Sequence, residues 1–356
     1  MADWLSSMQQ TFEYYTVDPR TWKDMKRLDN VRSCRIERDA DVATLGSASL
    51  GISDSLGECY IRVYLITIQN GVKEKHPLGT FLMQTPTSSY DGMVRDVTVD
   101  AYTPLLELKE NPPPIGYSKL KGDNIMESAY KIVRENARAP VVKATCSDSL
   151  EYDFVANTDD TWMSFTSDLI ANADYEFALD ELGRILFAPK QDTAALQPVW
   201  TYTDDNSSIL FPDITMNHDL YGVPNVVEVI CTTGVAYNSN MHHVRVVNDD
   251  PNSPISTVNR GREIIYRTTS PKINGRPTEA MIREYATQLL RDLSTLEYSV
   301  TYRHGYCPVR LGDCVRLDYT RAGLKNVKAK VVSQSIECAP GCTVTETAVF
   351  TTKLWG

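Results

Sequence analysis

The 356-residue sequence contains no long apolar run and no excess of positive charge. Its longest apolar stretch, Tyr60 to Ile68, includes Arg62 and is too short to cross a bilayer, so we expect no stable membrane association. A net charge of −10 disfavours a protein that grips nucleic acid through its phosphates, which requires clustered lysine and arginine. The first residues, Met1 to Trp4, lack the basic and apolar segments of a secretory signal, which predicts assembly in a cytoplasm.

The common catalytic signatures are also missing, including serine-hydrolase, zinc-peptidase, phosphate-loop and Cys-x-x-Cys motifs. His242 and His243 are adjacent, and neighbouring residues of a strand point to opposite faces, so they should not share a metal ion. Three acidic pairs lie at expected helix starts or polar turns, where capping explains them: Asp159-Asp160, Asp204-Asp205 and Asp249-Asp250. We predict no catalytic residue, no cofactor site, no metal site and hence no enzymatic activity.

Eight cysteines are spread along the chain, and the last four are close enough in sequence to raise the question of a metal site: Cys307, Cys314, Cys338 and Cys342. Their spacings, Cys-x6-Cys and Cys-x3-Cys, differ from the paired Cys-x2-Cys knuckles of a zinc ribbon. The segment from Cys338 to Cys342 also has the composition of a hairpin turn. We therefore expect free thiols that serve as small apolar side chains.

Residues 31–103 contain short runs that alternate apolar and polar side chains and are rich in β-branched and aromatic residues. Turn signals separate these runs: Asn70-Gly71, His76-Pro77 and Tyr90-Asp91-Gly92. This spacing is typical of an antiparallel barrel or sandwich. The Pro112–Pro114 run then predicts a stiff connector, so residues 1–116 form the first predicted domain, a β-barrel.

The periodicity changes over residues 117–210, which we predict to form a small α+β domain. One helix is expected from Gly122 to Arg138, with Asp123 or Asn124 as its cap. A second should follow Asp159-Asp160, before a hairpin of two strands around residues 175–187. Residues 211–356 form the third predicted domain, another β-barrel, with a polar excursion at 248–277 and a helix at 279–296 capped by Thr278.

The first and last strand regions resemble each other faintly. Cys59 and Cys314 open similar segments, Gly57-Glu-Cys-Tyr-Ile-Arg and Gly312-Asp-Cys-Val-Arg, and Gln84 and Gln334 follow at comparable distances. Two trains of antiparallel strands align to some extent by chance. Taken at face value, the repetition indicates two similar β-barrels separated by the α+β domain.

Four stretches, taken in this order, carry a resemblance to a known family: residues 33–50, 78–123, 162–190 and 286–336. The chain resembles the tail-tip or baseplate hub proteins of long-tailed bacteriophages, especially the hub portion of tail-associated proteins from phages of Gram-positive hosts. The resemblance rests on the order of elements more than on invariant residues.

This resemblance implies an α+β, mainly β fold with two tube-protein-like antiparallel β-barrels and an intervening small α+β domain. It implies a homotrimer at the virion tail tip that closes the tail tube and gates the exit of the tape measure protein and DNA. Expected partners are the tail tube protein, the distal tail protein, the tape measure protein and a tail-tip spike or fibre. Double-stranded DNA would pass only in transit, through an acidic lumen that does not retain it. Because the chain stops at Gly356, directly after its last predicted strand, we expect another protein to digest the cell wall.

Three alternatives remain open at this point. The chain could be a distal-tail or adaptor component of the same virus, which would form a six-fold ring. It could instead be a cell-wall glycan-binding or glycan-hydrolysing protein, since Trp200-Thr-Tyr202 and the 19 tyrosines offer aromatic surfaces. A bacterial tail-like particle would use the same hub, and sequence does not separate it from a phage.

Overall fold

The computed structural model describes residues 2–53, 56–92, 94–205, 208–233, 240–269 and 278–355. The strands of the first part are β1 Gln9–Val17, β2 Asp24–Leu28, β3 Val31–Asp39, β4 Gly46–Ile52, β5 Tyr60–Gln69, β6 Val72–Asp91 and β7 Val94–Tyr102. The middle part contains α1 Leu106–Glu110, β8 Ser118–Lys119, α2 Ile125–Asn136, β9 Phe154–Val155, α3 Trp162–Ala171, β10 Tyr175–Leu179, β11 Ile185–Pro189 and β12 Trp200–Thr203.

The last part begins with β13 Leu210–His218, β14 Val226–Thr233, β15 Asn240–Val247, α4 Thr257–Arg260 and β16 Ile265–Thr268. It ends with α5 Glu279–Leu293, β17 Thr295–Gly305, β18 Cys314–Tyr319, β19 Leu324–Glu337 and β20 Thr343–Lys353. The predicted class, α+β and mainly β, is confirmed. None of the described helices combines the length and apolar character needed to cross a bilayer.

Most of the predicted elements are confirmed, but the predicted turn at His76-Pro77 is wrong, because both residues lie within β6 and pair with β5. Helices α2 and α3 lie where the periodicity placed them, and Asn124 caps α2 by accepting the Glu127 N–H. The Cys338–Cys342 segment is the turn between β19 and β20. Helix α5 is capped by Thr278 as expected but ends at Leu293, three residues before the predicted end, because β17 begins at Thr295. Part of the predicted polar excursion, residues 270–277, lies outside the described residues.

The chain divides into two compact units. Unit 1 comprises Met1–Ile214 and Thr301–Ala348, and unit 2 comprises Thr215–Val300 and Val349–Gly356. In unit 2, β15, β14 and β16 form a three-stranded sheet, and α5 packs on one face of it through Ile282, Ala286 and Leu290. Unit 2 contains nine acidic and nine basic residues, so the formal charge of −10 belongs entirely to unit 1.

A single 13-stranded sheet organises the fold, with the order β13-β17-β20-β19-β3-β4-β7-β6-β5-β1-β2, while β12 and β18 extend from β19. Strand β19 joins the N-terminal and C-terminal strands, because its last residues pair with β3 while its first residues pair with β18. The strands of the two predicted barrels are therefore hydrogen-bonded into one sheet.

Within unit 1 this sheet curls around its main core. Strands β17 and β6 stand six positions apart in the sheet order, which is roughly 29 Å for a flat sheet at about 4.8 Å per strand. Yet the Trp4 ring lies 5.0 Å from the His76 ring on β6 and 5.2 Å from the Tyr306 ring, directly after β17. The enclosed core draws residues from both ends of the chain, including Ile36, Leu65 and Val344.

The strand order contains a repetition. Strands β1-β5-β6-β7-β4-β3 form a first set, and β12-β18-β19-β20-β17-β13 form a second set with the same succession along the chain. In both sets the long strand carries an extra residue at the same place, after the Val63–Gly79 pair in β6 and after the Leu317–Val327 pair in β19. The sets differ at one end, because β1 pairs with β5 antiparallel whereas β12 pairs with β18 parallel.

These bulges define which residues of the two sets are equivalent. Tyr60, rather than Cys59, occupies the position of Cys314, since each pairs at the same distance from its bulge. The sequence similarity is therefore shifted by one residue at this point. A one-residue shift exchanges the two faces of a strand, so only the pairing identifies the equivalent core positions.

The α+β layer of unit 1 has its own core, formed by α1, α2, α3 and the β10–β11 hairpin. Its hairpin is fixed to the sheet by one backbone carbonyl, that of Leu182 in the turn. That oxygen accepts the Trp22 indole N–H at 2.8 Å, the Thr80 hydroxyl at 2.9 Å and an Arg62 N–H at 3.2 Å. Gly183 has φ +73°, and a Cβ there would lie 2.7 Å from Thr80, so the close approach requires glycine.

Arg62 is the centre of this attachment. Its side chain is 4% exposed, donates to Asp24 at 2.8 Å and to Thr80 at 2.8 Å, and lies on β5 among apolar neighbours. Removal of one partner of a buried ion pair is strongly destabilising. The guanidinium therefore connects β5, the β1–β2 region and the hairpin turn.

We predict that Arg62→Ala lowers the free energy of unfolding by roughly 3 kcal/mol, because it removes the charge-assisted hydrogen bonds of a buried guanidinium to Asp24, Thr80 and the Leu182 carbonyl, together with the packing of that side chain. Urea denaturation followed by tryptophan fluorescence measures this. Arg27→Ala is the matched control: that guanidinium is 52% exposed and pairs with Asp29 at 2.9 Å, so its loss should change stability by less than about 1 kcal/mol. Equal effects of the two substitutions would contradict the central role of Arg62.

Candidate functional site

Six buried polar side chains meet inside unit 1, contributed by β12, β17, β19, β20 and the segment after β17: Tyr202, Tyr302, His304, Cys307, Gln334 and Glu346. We call this group the Glu346 cluster. The Glu346 carboxylate accepts the Tyr302 hydroxyl at 2.5 Å, the Tyr202 hydroxyl at 3.3 Å and the Gln334 amide at 2.6 Å. His304 Nε2 lies 3.6 Å from the same carboxylate.

The cluster extends to the first strand set through Gln334. Its amide nitrogen also donates to the Val309 carbonyl at 3.0 Å, and its amide oxygen accepts from Arg38 Nη1 at 2.9 Å. Arg38 in turn donates to the Leu78 carbonyl on β6 at 2.6 Å. A continuous path of hydrogen bonds therefore runs from β20 through β19 and β3 to β6.

Burial and charge set the protonation of the Glu346 cluster. Burial alone would lower the pKa of His304, but its bonds to Cys307 and Glu346 outweigh burial and raise that pKa to about 10. Burial and the Glu346 carboxylate raise the pKa of Tyr302 and of Tyr202 well above the usual phenol value. At neutral pH the interior therefore holds His304 as an imidazolium, with neutral tyrosines as donors.

Cysteine, histidine and glutamate are also the residue types of a nucleophile, its base and an orienting acid. Cys307 Sγ lies 3.9 Å from His304 Nδ1, longer than the bond expected for an activated nucleophile. Cys307 is 2% exposed, and His304 and Glu346 are 0% exposed. A covalent catalyst must present its sulfur to a substrate, so we assign this group a structural role.

The four C-terminal cysteines lie in three different places. Cys338 and Cys342 belong to the main core together with Cys34, Cys307 belongs to the Glu346 cluster, and Cys314 lies on β18. Burial raises the pKa of the Cys342 thiol to about 12. In the part of the chain that the structure describes, no three His, Cys, Asp or Glu side chains converge on a point that could hold a metal ion.

The adjacent histidines and the acidic pairs lie at strand and turn positions outside the Glu346 cluster. Register places His242 opposite Cys231, whose side chain contacts α5, and His243 opposite Ile230, so the two histidines do point to opposite faces. The predicted cap and turn roles are confirmed in part, since the cap of α3 is Thr161 and Asp204 accepts the Thr320 hydroxyl at 2.8 Å. Asp160 accepts the Asn157 N–H and the Ser164 hydroxyl at the start of α3, and Asp250 accepts the Asn252 N–H in a turn.

A cavity of about 1010 Å³ lies within unit 1 between the β3–β4 region, the α3–β10–β11 layer and the loop at 310–313. Two ion pairs border it: Arg310 with Glu181, and Lys330 with Glu176 at 3.7 Å. Burial raises the pKa of the Asp313 carboxyl in the same loop. Four of the charged residues that line the cavity are therefore engaged in ion pairs with one another.

The edge strand β13 is largely exposed. Phe211 is 37% exposed, Met216 is 40% exposed, and most other residues of the strand are exposed as well. β13 is the last strand of the sheet order and has a neighbour, β17, on one side. An exposed edge of this length offers backbone donors and acceptors to another strand.

No protein-family model and no curated protein sequence matches the chain. Solved structures do. A tail protein from Neisseria meningitidis MC58 aligns with TM-score 0.61 and 12% identity, over 96% of this chain and 97% of that one. The 43 kDa tail protein of prophage MuSo2 from Shewanella oneidensis aligns with TM-score 0.62 and 11% identity, over 95% of this chain and 98% of that one.

The chain has the fold of phage tail proteins. Each alignment spans almost the whole of both chains, so the likeness extends to the sheet, the α+β layer and unit 2 together. The resemblance inferred from the order of elements in the sequence is confirmed at the level of the fold.

Sequence reasoning missed the Glu346 cluster and the Arg62 attachment. Glu346 sits in an ordinary alternating strand, and its partners come from residues 202, 302, 304, 307 and 334. Arg62 did leave a signal, because it interrupts the apolar run of β5 at a position where both neighbours are buried.

We predict that stability falls by more than about 1.4 kcal/mol between pH 7 and 9. The pKa of His304 is raised from 6.5 in the unfolded chain to about 10, so its stabilisation is complete below 6.5 and is lost as pH rises through this window. Glu346→Gln should flatten this decline, because the imidazolium loses its counter-charge. Urea denaturation at several pH values measures it.

Glu337→Gln is the control, since Glu337 is exposed near the end of the same strand as Gln334. It should leave the pH profile unchanged. A wild-type profile without a decline, or an equal decline in the Glu346→Gln variant, would refute the buried ion pair.

Proposed function

We propose that the chain is a non-enzymatic structural protein of the virion, a trimeric hub that closes the distal end of a phage tail tube. The observation that carries the proposal is the tail-protein fold, aligned over nearly the whole chain with two tail proteins. The proposal places the chain at the tail tip, connecting the tube to the tip or baseplate and gating the exit of the tape measure protein and DNA.

The repeated strand sets support a trimer. Each chain carries two sets with the same strand order, so three chains would present six similar sets. Six sets would match the six-fold tail tube that the sequence resemblance implies. In this proposal each set is one tube-like half, and the two predicted barrels are the two sets of one continuous sheet.

The distribution of charge fits a passage for DNA. Unit 1, which contains both strand sets except for parts of β13, β17 and β20, carries the whole formal charge of −10. An acidic wall would repel the phosphate backbone, and like charges are weakly screened within about 8–10 Å. The genome would therefore pass without being retained.

The proposed partners follow from this position: the tail tube protein, the distal tail protein, the tape measure protein and a tail-tip spike or fibre. Digestion of the cell wall would be left to another protein. The sealed Glu346 cluster supports a structural role, since the best-assembled reactive side chains found in unit 1 lie in its interior.

We predict that the purified chain forms a particle of three 40.0 kDa chains, about 120 kDa, by light scattering or native mass spectrometry. Negative-stain images should show three-fold symmetry. A six-chain ring would favour the distal-tail alternative, and a stable monomer at all concentrations would contradict the hub.

The glycan alternative has its own test. The purified chain should neither bind purified bacterial cell walls nor release soluble sugar from them, because the proposed role is structural. A known cell-wall hydrolase serves as the positive control. Release of reducing sugar by the chain would overturn the non-enzymatic assignment.

A further inference from the structure

One interface between the two strand sets is present within the chain. The end of β19 pairs antiparallel with β3, with Ile336 opposite Ile36 and Glu337 opposite Arg35. The Cys338 N–H donates to the Cys34 carbonyl at 3.0 Å and the Ala40 N–H donates to the Val332 carbonyl at 2.9 Å. Even-numbered residues of β19 therefore direct their backbone groups to β3, and Arg35 and Glu337 form a non-hydrogen-bonded pair.

The strand repetition identifies the counterpart of β19 in the first set. Matching the bulges places Leu82 of β6 at the position of Lys330 and Ser89 at the position of Glu337. A second irregularity agrees: the β6–β7 pairing shifts at Gln84, and in β19 the buried side changes between Val331 and Gln334. Residues 85–89 of β6 thus correspond to residues 333–337 of β19.

The counterpart of β3 in the second set is β13. Strand β17 is aligned with β20 by the Thr301–Thr347 hydroxyl contact at 3.0 Å, and β13 is aligned with β17 by the Gly305 N–H, which donates to the Ile209 carbonyl at 3.0 Å. In the first set, β4 takes the place of β17, β7 that of β20 and β3 that of β13. When these pairings are matched, Ile214 lies at the position of Ile36 and Asp213 at the position of Arg35.

Over the matched residues, strands β6 and β13 are less buried than β19 and β3, the strands to which they correspond. Gln334 and Ile336 of β19 are buried, whereas the corresponding Pro86 and Ser88 of β6 are exposed. Ile36 of β3 is 0% exposed, whereas Ile214 of β13 is partly exposed. The same strand pair that is joined within the chain is thus present a second time, with both members at the surface.

The backbone directions also agree. Because Ile209 bonds to β17, odd-numbered residues of β13 face β17 and even-numbered residues face outward. Pro212 therefore turns its missing N–H away from β17, as expected for an edge strand, and its carbonyl on that outer edge accepts the Tyr319 hydroxyl at 3.0 Å, just before residues 213–217. In the internal interface the even-numbered Ile36 likewise faces β19, so both edges present the same pattern.

We propose that β6 of one copy of the chain pairs antiparallel with β13 of the next copy, with Ser89 opposite Asp213 and Thr87 opposite Thr215. This rests on the proposed hub and names the surface that assembles it. The contact between copies then repeats the contact between the sets within each copy. A head-to-tail contact of this kind closes into a ring when the rotation per copy allows it.

The chemistry of the proposed interface is compatible with pairing but weaker than that of its internal counterpart. Pro86 takes the position of Gln334 and provides no N–H, so one ladder bond is lost. Asp213 is the sole charged residue among the paired positions 85–89 and 213–217, so no like charges oppose each other. A weaker copy of the interface would let folded chains exist before they assemble.

The experiment uses two separate full-length variants, Ser89→Cys and Asp213→Cys, mixed and mildly oxidised. Non-hydrogen-bonded cross-strand pairs have the short Cα separation that a disulfide requires. We expect a covalent dimer in the mixture and at least tenfold less in either variant alone. Arg35→Cys with Glu337→Cys in one chain is the benchmark, and it should cross-link within the chain. Ser89→Cys mixed with Ile214→Cys, which points to the opposite face, is the negative control.

A second measurement follows the mass of the Ile214→Pro variant. The substitution removes an N–H that faces outward and leaves the bonds to β17, so the variant should stay folded by circular dichroism and assemble at least tenfold more weakly. An Asp213→Asn variant, which keeps the backbone intact, should assemble like the wild type.

The outcomes separate this inference from the proposed function. A wild-type trimer that neither cross-links in the mixture nor responds to Ile214→Pro overturns the strand pairing and leaves the hub standing. Cross-linking in a particle that is not a trimer supports the pairing and overturns the trimeric hub. A chain that stays monomeric and does not cross-link overturns both.

Discussion

The pairing of β19 with β3 is the constraint on which the rest of unit 1 depends. It joins strands roughly 300 residues apart in sequence and converts two strand sets into one sheet. The hydrogen-bond path from Glu346 through Gln334 and Arg38 to the Leu78 carbonyl crosses this same junction. Because the sheet curls, the junction also closes the main core, where Ile36 and Ile336 face each other among apolar residues from both ends of the chain.

A buried charged group at such a junction adds little net stability, because its desolvation costs free energy. Apolar side chains of similar volume often stabilise a core as well as a buried ion pair does. A fully satisfied polar network also fixes the register of the strands. Each donor fits one acceptor, so a shifted strand leaves a charge unpaired. A one-residue shift of β19 would turn Gln334 and Ile336 away from the core. The Glu346 cluster is therefore best understood as fixing which residues of β19 meet β3 and β20.

Local structure was largely accessible from the sequence, and long-range structure was accessible in part. The periodicity of α2, α3 and α5 and the caps Asn124 and Thr278 follow from short-range physics, so their helices were predicted with small errors at the ends. The element order also indicated the tail-protein fold. The pairing of β19 with β3 leaves no local signal, because any alternating strand could take that place. The Glu346 cluster was invisible for the same reason: its members are distant in sequence, and each is unremarkable alone. Arg62 was the exception, since a charge inside an apolar run demands a buried partner.

The strand repetition also explains why the similarity in sequence is so faint. The two sets have equivalent strand positions but different residues at them. When the strand pairings are matched, Ile52 corresponds to His304 and Val99 to Glu346. The first set fills these positions with apolar residues, and the second fills them with the polar cluster. Since each core has its own chemistry, the sheet does not require identical residues in the two sets. The sheet depends instead on the backbone pattern, namely strand order, bulges and the direction of hydrogen bonds. The two sets have that pattern in common, and the match of this chain to the two solved tail proteins is likewise a match of fold.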